Sequence, residues 1–276
     1  MFGRNEIVGR KSFPDMDKLL VTSIFVTMQG EGPYSGLPAV FVRLAKCNLA
    51  CSFCDTYFDS GDWFTFDELD ARIDEEIFGA GMLEKRDYVL IITGGEPMLQ
   101  QALAPWLDTQ FRDGKSWRNI QIETNGTQFL TIDSRVTLVV SPKCREKAHR
   151  AVAYLKPNHL VIERADALKF VMEADESSPY STIPDWAFDW KRETGGDIFV
   201  SPINVYNRAP QQAKVDRLTN RTTLEQRSKI EEVISFWEPG LLNLEANERN
   251  HVYTAKYAVR TGCRFQVQAH LYAGLA

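Results

Sequence analysis

The chain has 276 residues, of which 44% are apolar and 25% charged, and it carries a formal net charge of −5. Such a composition belongs to a globular domain large enough to bury a substantial core, and the acidic balance argues against a protein that grips a phosphate backbone through a basic face. No stretch approaches the ~18 apolar residues of a membrane span, and Met1–Lys18 lacks the apolar segment of a secretory signal, so a cytoplasmic protein without a membrane or nucleic-acid partner is expected.

In chain order, β-rich runs alternate with helix-period segments. Strands are expected at Val21–Thr27 and Val40–Leu44, then a cysteine-rich loop, then a helix opened by the capping box Thr65-Phe-Asp-Glu68 and running to about Phe78. A strand at Tyr88–Thr93 leads into a helix after Pro97, through Leu99, Leu103 and Leu107. Strands follow at Ile120–Glu123, Val136–Ser141, Leu168–Met172 and Ile198–Ser201. Thr222-Thr-Leu-Glu225 opens a helix to about Trp237, another spans Leu244 to Arg260 before Gly262, and a last strand is expected at Phe265–Gln268. Glu173–Gly196 and Ala209–Arg221 are polar and break the pattern, so residues 173–196 and 209–221 read as rim insertions or loops on a single domain covering 1–276.

Strands alternating with helices imply an α/β fold on a parallel sheet. About six β/α repeats fit a partial (β/α)6-type TIM-like barrel better than a full eightfold one. Chemistry then belongs at the C-terminal strand ends, where the unusual residues fall: Cys47 after Leu44, Gly94-Gly95-Glu96-Pro97 after Thr93, Glu123-Thr-Asn-Gly126, and Ser141-Pro142-Lys143.

Of the five cysteines, Cys47, Cys51 and Cys54 form a C-x3-C-x2-C loop. Thiolates are the usual ligands of iron–sulfur clusters, and three from one loop leave a corner of a [4Fe-4S] cube open. An open metal position marks a catalytic site. A zinc site, an ordinary four-cysteine cluster with Cys144 as the fourth ligand, or chance spacing remain alternatives; no later Cys or His pair has zinc spacing. Cys144 and Cys263 otherwise read as small buried hydrophobes.

The cysteine loop resembles the signature of the radical S-adenosylmethionine (SAM) superfamily, and Thr93-Gly-Gly-Glu-Pro97 resembles its glycine-rich SAM motif. Met28-Gln-Gly-Glu-Gly32, Gly36-Leu-Pro-Ala-Val-Phe-Val-Arg43, Cys54-Asp-Thr56, Leu168-Lys-Phe-Val171, Ser201-Pro202 and the tail Gln268-Ala-His270…Ala276 further resemble the 7-carboxy-7-deazaguanine synthases. That resemblance implies a lyase that contracts the ring of 6-carboxy-5,6,7,8-tetrahydropterin with loss of ammonia. It implies a [4Fe-4S] cluster on Cys47, Cys51 and Cys54, SAM held by Gly95, Ser141, Pro142, Lys143 and Ser201, and Mg2+ on Thr56. Met28, Gln29, Gly30, Arg43, Thr93, His270 and the Ala276 carboxylate would hold the pterin, with a flavodoxin- or ferredoxin-type electron donor and a homodimer as partners. No protein residue is expected to be catalytic beyond the cofactor-derived radical. Arg43 suits a carboxylate because its planar guanidinium grips two oxygens. Three departures from the family pattern stand out: Lys46 where a glycine is expected, Ala276 where a proline is usual, and the length of Glu173–Gly196. A radical SAM enzyme acting on a protein, and a noncatalytic iron–sulfur carrier or sensor, are the competing readings.

Overall fold

The structure, a computed structural model, describes residues 6–81, 83–112, 115–207 and 240–275. The expected helix Thr222–Trp237, the segment Ala209–Arg221 and Ala276 lie outside the described residues.

One large sheet organises the chain. Its strands are β1 (Lys18–Met28), β2 (Pro38–Leu44), β3 (Asp62–Thr65), β4 (Val89–Gly94), β5 (Asn119–Thr124), β6 (Thr137–Val140), β9 (Ala167–Met172), β10 (Asp197–Pro202) and β11 (Arg264–Phe265), while β7 (Cys144–Lys147) and β8 (Arg150–Tyr154) form a separate hairpin. In the order β11-β10-β9-β6-β5-β4-β2-β1-β3, the strands from β2 to β11 pair in parallel, and β1 runs antiparallel to both β2 and β3. The chain is therefore mixed α/β with a large parallel sheet. The apolar run of β4, buried from Val89 through Ile92, is what a strand covered on both faces requires.

The helices are α1 (Phe66–Ala80), α2 (Leu103–Thr109), α3 (His159–Arg164), α4 (Asp185–Thr194), α5 (Leu244–Thr261) and α6 (Ala269–Ala273). Both capping-box bonds form between Thr65 and Glu68, and Leu69, Ile73 and Ile77 bury one face of α1 at helical spacing. Gly262 closes α5 at φ 70°, the left-handed conformation that glycine takes without strain.

Three expectations need correction. The helix after Pro97 splits into a 3-10 turn, Pro97–Leu99, and α2. Gln100 interrupts it by acting as a strand partner: its Oε1 accepts from Leu20 N–H (2.8 Å) and its Nε2 donates to Leu20 O (2.9 Å). Glu173–Gly196 is not a loop on the rim. It carries α4, the crossover between parallel strands β9 and β10, and buries Ala187 and Trp190 in the main core. The last expected strand shrinks to Arg264–Phe265 because the Gln266 side chain turns to Gly32, accepting from its N–H at 2.6 Å, and α6 begins at Ala269. Finally, the sequence pattern gave no sign of β3 or of the β7–β8 hairpin. No helix among the described residues is long and apolar enough to cross a membrane.

Candidate functional site

Two joined cavities, about 180 and 150 Å³, open at the C-terminal ends of the parallel strands and share Glu31, Asp55, Thr56, Thr93, Glu123, Lys169, Tyr206 and Gln268. Cys47, Cys51, Cys54, Thr56, Thr93, Gly95, Ser141, Lys143 and Ser201 line the first; Gln29, Arg43, Thr56, Thr93 and His270 line the second. Met28, Gly30 and Pro142 line neither, so the structure does not bring these three to the cavity wall.

The cysteine loop is held by its backbone. Lys46 takes φ 73°, donating its N–H to Phe58 O (2.7 Å) and accepting Glu96 N–H (2.9 Å). Gly95 lies so close that a Cβ there would sit 1.9 Å from Lys46 O, so no side chain fits. From the other side Val8 N–H donates to Cys47 O at 2.9 Å. Asn48 Nδ2 donates to Thr127 Oγ1 (2.7 Å) and its Oδ1 accepts from Asn125 Nδ2 (2.9 Å), tying the loop to the end of β5. Glu96, fully buried, binds nothing in the cavity. Its carboxylate accepts from Met98 N–H (3.0 Å), Thr124 Oγ1 (2.6 Å) and Asn125 N–H (2.7 Å), fastening the end of β4 to that of β5.

Burial pushes the Cys47 thiol up to about 12 and raises Cys51 and Cys54 as well. Lys143 opposes this at Cys51; its own pKa is lowered by burial. The Lys143 ammonium donates to Ser141 O (2.8 Å) and Ser141 Oγ (2.5 Å), which explains Ser141-Pro-Lys143 as one device. Among the described residues, no three His, Cys, Asp or Glu side chains converge on a single-ion site. The Ser201 hydroxyl is buried on the same cavity wall and, among the described residues, has no hydrogen-bond partner.

The second cavity is built around a buried cation. Lys169, 7% exposed, pairs with Glu123 and with Glu31 at 3.3 Å. Burial disfavours its charge, but the two carboxylates more than reverse that, so its pKa is raised. Burial likewise pushes Glu123 up and Lys169 more than compensates, leaving it below the ordinary carboxylate range. Gln29 Nε2 and Gln121 Nε2 each donate to Glu123 Oε1 at 3.1 Å. Arg43 sits over the Phe25 and Phe41 rings and donates to Thr56 Oγ1 at 3.3 Å, while Thr56 Oγ1 donates to Asp55 Oδ1 at 3.2 Å. Asp55 Oδ2 accepts from Gln268 Nε2 at 2.9 Å.

His270 closes this side. A Cβ on Gly30 would lie 2.5 Å from His270 Nδ1, so the glycine serves by admitting the imidazole rather than by lining the wall. Burial lowers the His270 pKa, with Glu31 and Asp55 opposing. Sequence reasoning assigned no role to Glu31, Asp55, Glu123, Lys169, Tyr206 or Gln268. The clearest available signal was Lys169, an ammonium in the middle of the otherwise apolar strand Ala167–Met172. As expected, Cys144 and Cys263 are buried.

No protein-family model matches the chain. It is 38% identical to a 7-carboxy-7-deazaguanine synthase from Rhodospirillum rubrum over 190 residues, covering 67% of this chain and 71% of that one. A 7-carboxy-7-deazaguanine synthase from Rickettsia prowazekii is 29% identical across 100% of this chain and 96% of its own length. Among solved structures, QueE from Escherichia coli superposes with a TM-score of 0.55 at 19% identity, over 95% of this chain and 99% of that one, and so shares the fold.

Proposed function

The chain belongs to the 7-carboxy-7-deazaguanine synthase family, and on that premise we propose how its cavities divide the work. The first holds a [4Fe-4S] cluster on Cys47, Cys51 and Cys54 with SAM against it; the second holds 6-carboxy-5,6,7,8-tetrahydropterin. When bound, the cluster and SAM supply an electron and the 5′-deoxyadenosyl radical that removes a substrate hydrogen. The observation that carries this reading is the shared wall: the three-thiol loop and the Glu31–Lys169–Glu123 cage open into one continuous mouth.

The protein's own groups bind, orient and exclude water. Gly95 lets the backbone approach the SAM methionyl group, and the Ser201 hydroxyl and Lys143 supply polar contacts beside it. Arg43 grips the substrate carboxylate in bidentate fashion. Thr56 Oγ1, with Asp55 beside it, would hold a Mg2+ ion, which would supply positive charge beside the substrate carboxylate. Gln29 spends one amide hydrogen on Glu123 and offers the other to the pterin edge, whose N–H donors also suit the Glu123 and Glu31 carboxylates. His270, kept neutral by burial, covers the opposite side, with Thr93 between the two cavities and Met28 and Gly30 fixing the approach. Six parallel strands lie side by side in the sheet in their order along the chain, β2-β4-β5-β6-β9-β10, with β3 and the β7–β8 hairpin intervening in sequence, which supports reading the sheet as a partial barrel around this mouth. The whole of 1–276 then serves as one catalytic domain.

The test is anaerobic turnover. Protein loaded with cluster and given SAM, Mg2+, a reductant and the tetrahydropterin should yield 7-carboxy-7-deazaguanine and ammonia. Fully loaded protein that cleaves SAM but leaves the pterin unchanged overturns the substrate assignment and favours an enzyme acting on another protein. Loaded protein that gives no 5′-deoxyadenosine at all overturns the radical reading.

A further inference from the structure

The segment that carries His270 is tied down on its upstream side. Gln266 Oε1 accepts from Gly32 N–H (2.6 Å), Gln268 Nε2 donates to Asp55 Oδ2 (2.9 Å), and Gln268 Oε1 accepts from Asn204 Nδ2. Beyond Gln268 the hold is thin. Helix α6 has only the five residues Ala269–Ala273, too few to be stable without outside contacts. Of the described residues after Gln268, Leu271 alone is buried, and Ala273, Gly274 and Leu275 are exposed.

One bond crosses from this turn to the long helix α5. The Tyr272 hydroxyl lies 2.8 Å from His251 Nε2, and the other ring nitrogen, Nδ1, lies 2.7 Å from Asn247 O. A carbonyl oxygen can only accept, so Nδ1 carries the hydrogen and Nε2 is left to accept from Tyr272. Asn247, one turn earlier on α5, clamps the backbone of Val205: its Oδ1 accepts from Val205 N–H (3.0 Å) and its Nδ2 donates to Val205 O (2.8 Å). Val205 precedes Tyr206, which lines both cavities. Helix α5 therefore anchors two walls of the mouth from successive turns. Neither His251 nor Tyr272 lines a cavity, whereas His270, Leu271 and Leu275 line the second and not the first.

We infer that His251 and Tyr272 are positioning residues for the pterin: their hydrogen bond fixes α6 and so sets His270 over the second cavity. The inference rests on the reading of that cavity as the pterin site. His270 sits midway between two tethers, Gln268 two residues before it and Tyr272 two residues after. Without the second tether the turn is held by Leu271 and by the chain behind it, and part of the population leaves the cavity uncovered. Apparent pterin affinity then falls with the covered fraction, on the scale of one net hydrogen bond, about fivefold. SAM, placed in the first cavity, should be indifferent to the change.

The variants are Tyr272→Phe, His251→Leu and the two combined, with Tyr253→Phe as control; Tyr253 is also on α5, and its hydroxyl donates to Ser181 O at 2.7 Å, away from the tail. Anaerobic calorimetry measures 6-carboxy-5,6,7,8-tetrahydropterin binding to protein loaded with cluster and SAM but given no reductant. Tyr272→Phe and His251→Leu should each bind the pterin about fivefold more weakly, and the combined variant no more weakly than either, because both remove one bond. SAM affinity, and dithionite-driven 5′-deoxyadenosine formation without pterin, should stay at the wild-type level, showing that the fold and the first cavity are intact. Hydrogen exchange on cluster-free, substrate-free protein should show the amides of residues 269–275 exchanging faster in Tyr272→Phe. The Tyr253→Phe control should match wild type throughout. Unchanged pterin affinity in Tyr272→Phe, additive losses in the combined variant, equal weakening of SAM and pterin, or an equal loss in Tyr253→Phe each overturns the inference. Where His251→Leu does not fold, Tyr272→Phe decides on its own. A wild type that binds SAM but no pterin overturns the substrate assignment and the positioning role with it, and hydrogen exchange then shows by itself whether the bond holds the tail.

Discussion

Replacing Lys46 with glycine should stabilise the protein. Lys46 holds φ 73° immediately before the first cysteine, a left-handed conformation that costs an L-residue about 1–2 kcal/mol. Glycine removes that strain but gives back about 0.4–1 kcal/mol through a freer unfolded chain. The substitution also removes the Lys46–Glu6 pair, 3.7 Å long and with Glu6 74% exposed, worth about 0–1 kcal/mol. The central values leave a gain of about 0.3 kcal/mol, roughly 1 °C in melting temperature for a chain of this size, between bounds of about −1 and about +1.6 kcal/mol. Lys46→Ala separates the two effects, because it loses the ion pair and keeps the strain; it should melt at or slightly below wild type. Thermal melts of the three cluster-free proteins by circular dichroism make the comparison. If Lys46→Gly melts no higher than Lys46→Ala, backbone strain at this position plays no part and the argument fails.

Gly95→Ala should leave little folded protein, since its Cβ would fall 1.9 Å from Lys46 O and 2.4 Å from Lys46 C; soluble yield and far-ultraviolet circular dichroism report it. Glu123→Gln removes one of the two carboxylates on buried Lys169 and leaves Glu31 at 3.3 Å, so in urea melts it should destabilise by less than the ~3–5 kcal/mol that an uncompensated buried charge costs. Because the folded pKa of Glu123 lies below its ordinary value, its contribution is present above about pH 4 and is lost as pH falls further, so the wild-type stability curve should drop more steeply there than the variant's. Cys51→Ala should keep the fold, the thiol being one small group, yet fail to develop iron–sulfur absorbance after anaerobic reconstitution.

The interior strands were readable because each is an apolar run closed by a glycine, a proline or a charged residue at the sheet's C-terminal edge, and the site motifs sit on those closures. The capping box at Thr65 and the stop at Gly262 were equally plain, since both are local. What escaped detection depends on partners far away in sequence. Gln100 breaks a helix for the sake of Leu20, and Gln266 ends a strand for the sake of Gly32. Glu96 and Gly30 line neither cavity; their work is done against Thr124, Asn125 and His270, contacts that no spacing rule reveals. Lys169 has no local excuse for lying inside an apolar strand, and its two carboxylate partners come from 46 and 138 residues away.

The meeting of the Met28–Gly32 segment with the tail around Gln266 and His270 has a kinetic consequence. The Gly32–Gln266 bond spans 234 residues, whereas β4, β5 and β6 pair as neighbours in chain order. Contacts between such distant segments are expected to form late, after the short loops have closed. The thiol loop, fastened to β4 and β5, is therefore in place while the wall that covers the second cavity is still open. On the reverse path α6 is the first piece to leave, so the amide of Leu271 should lose its protection from hydrogen exchange before those of Ile91 and Ile122.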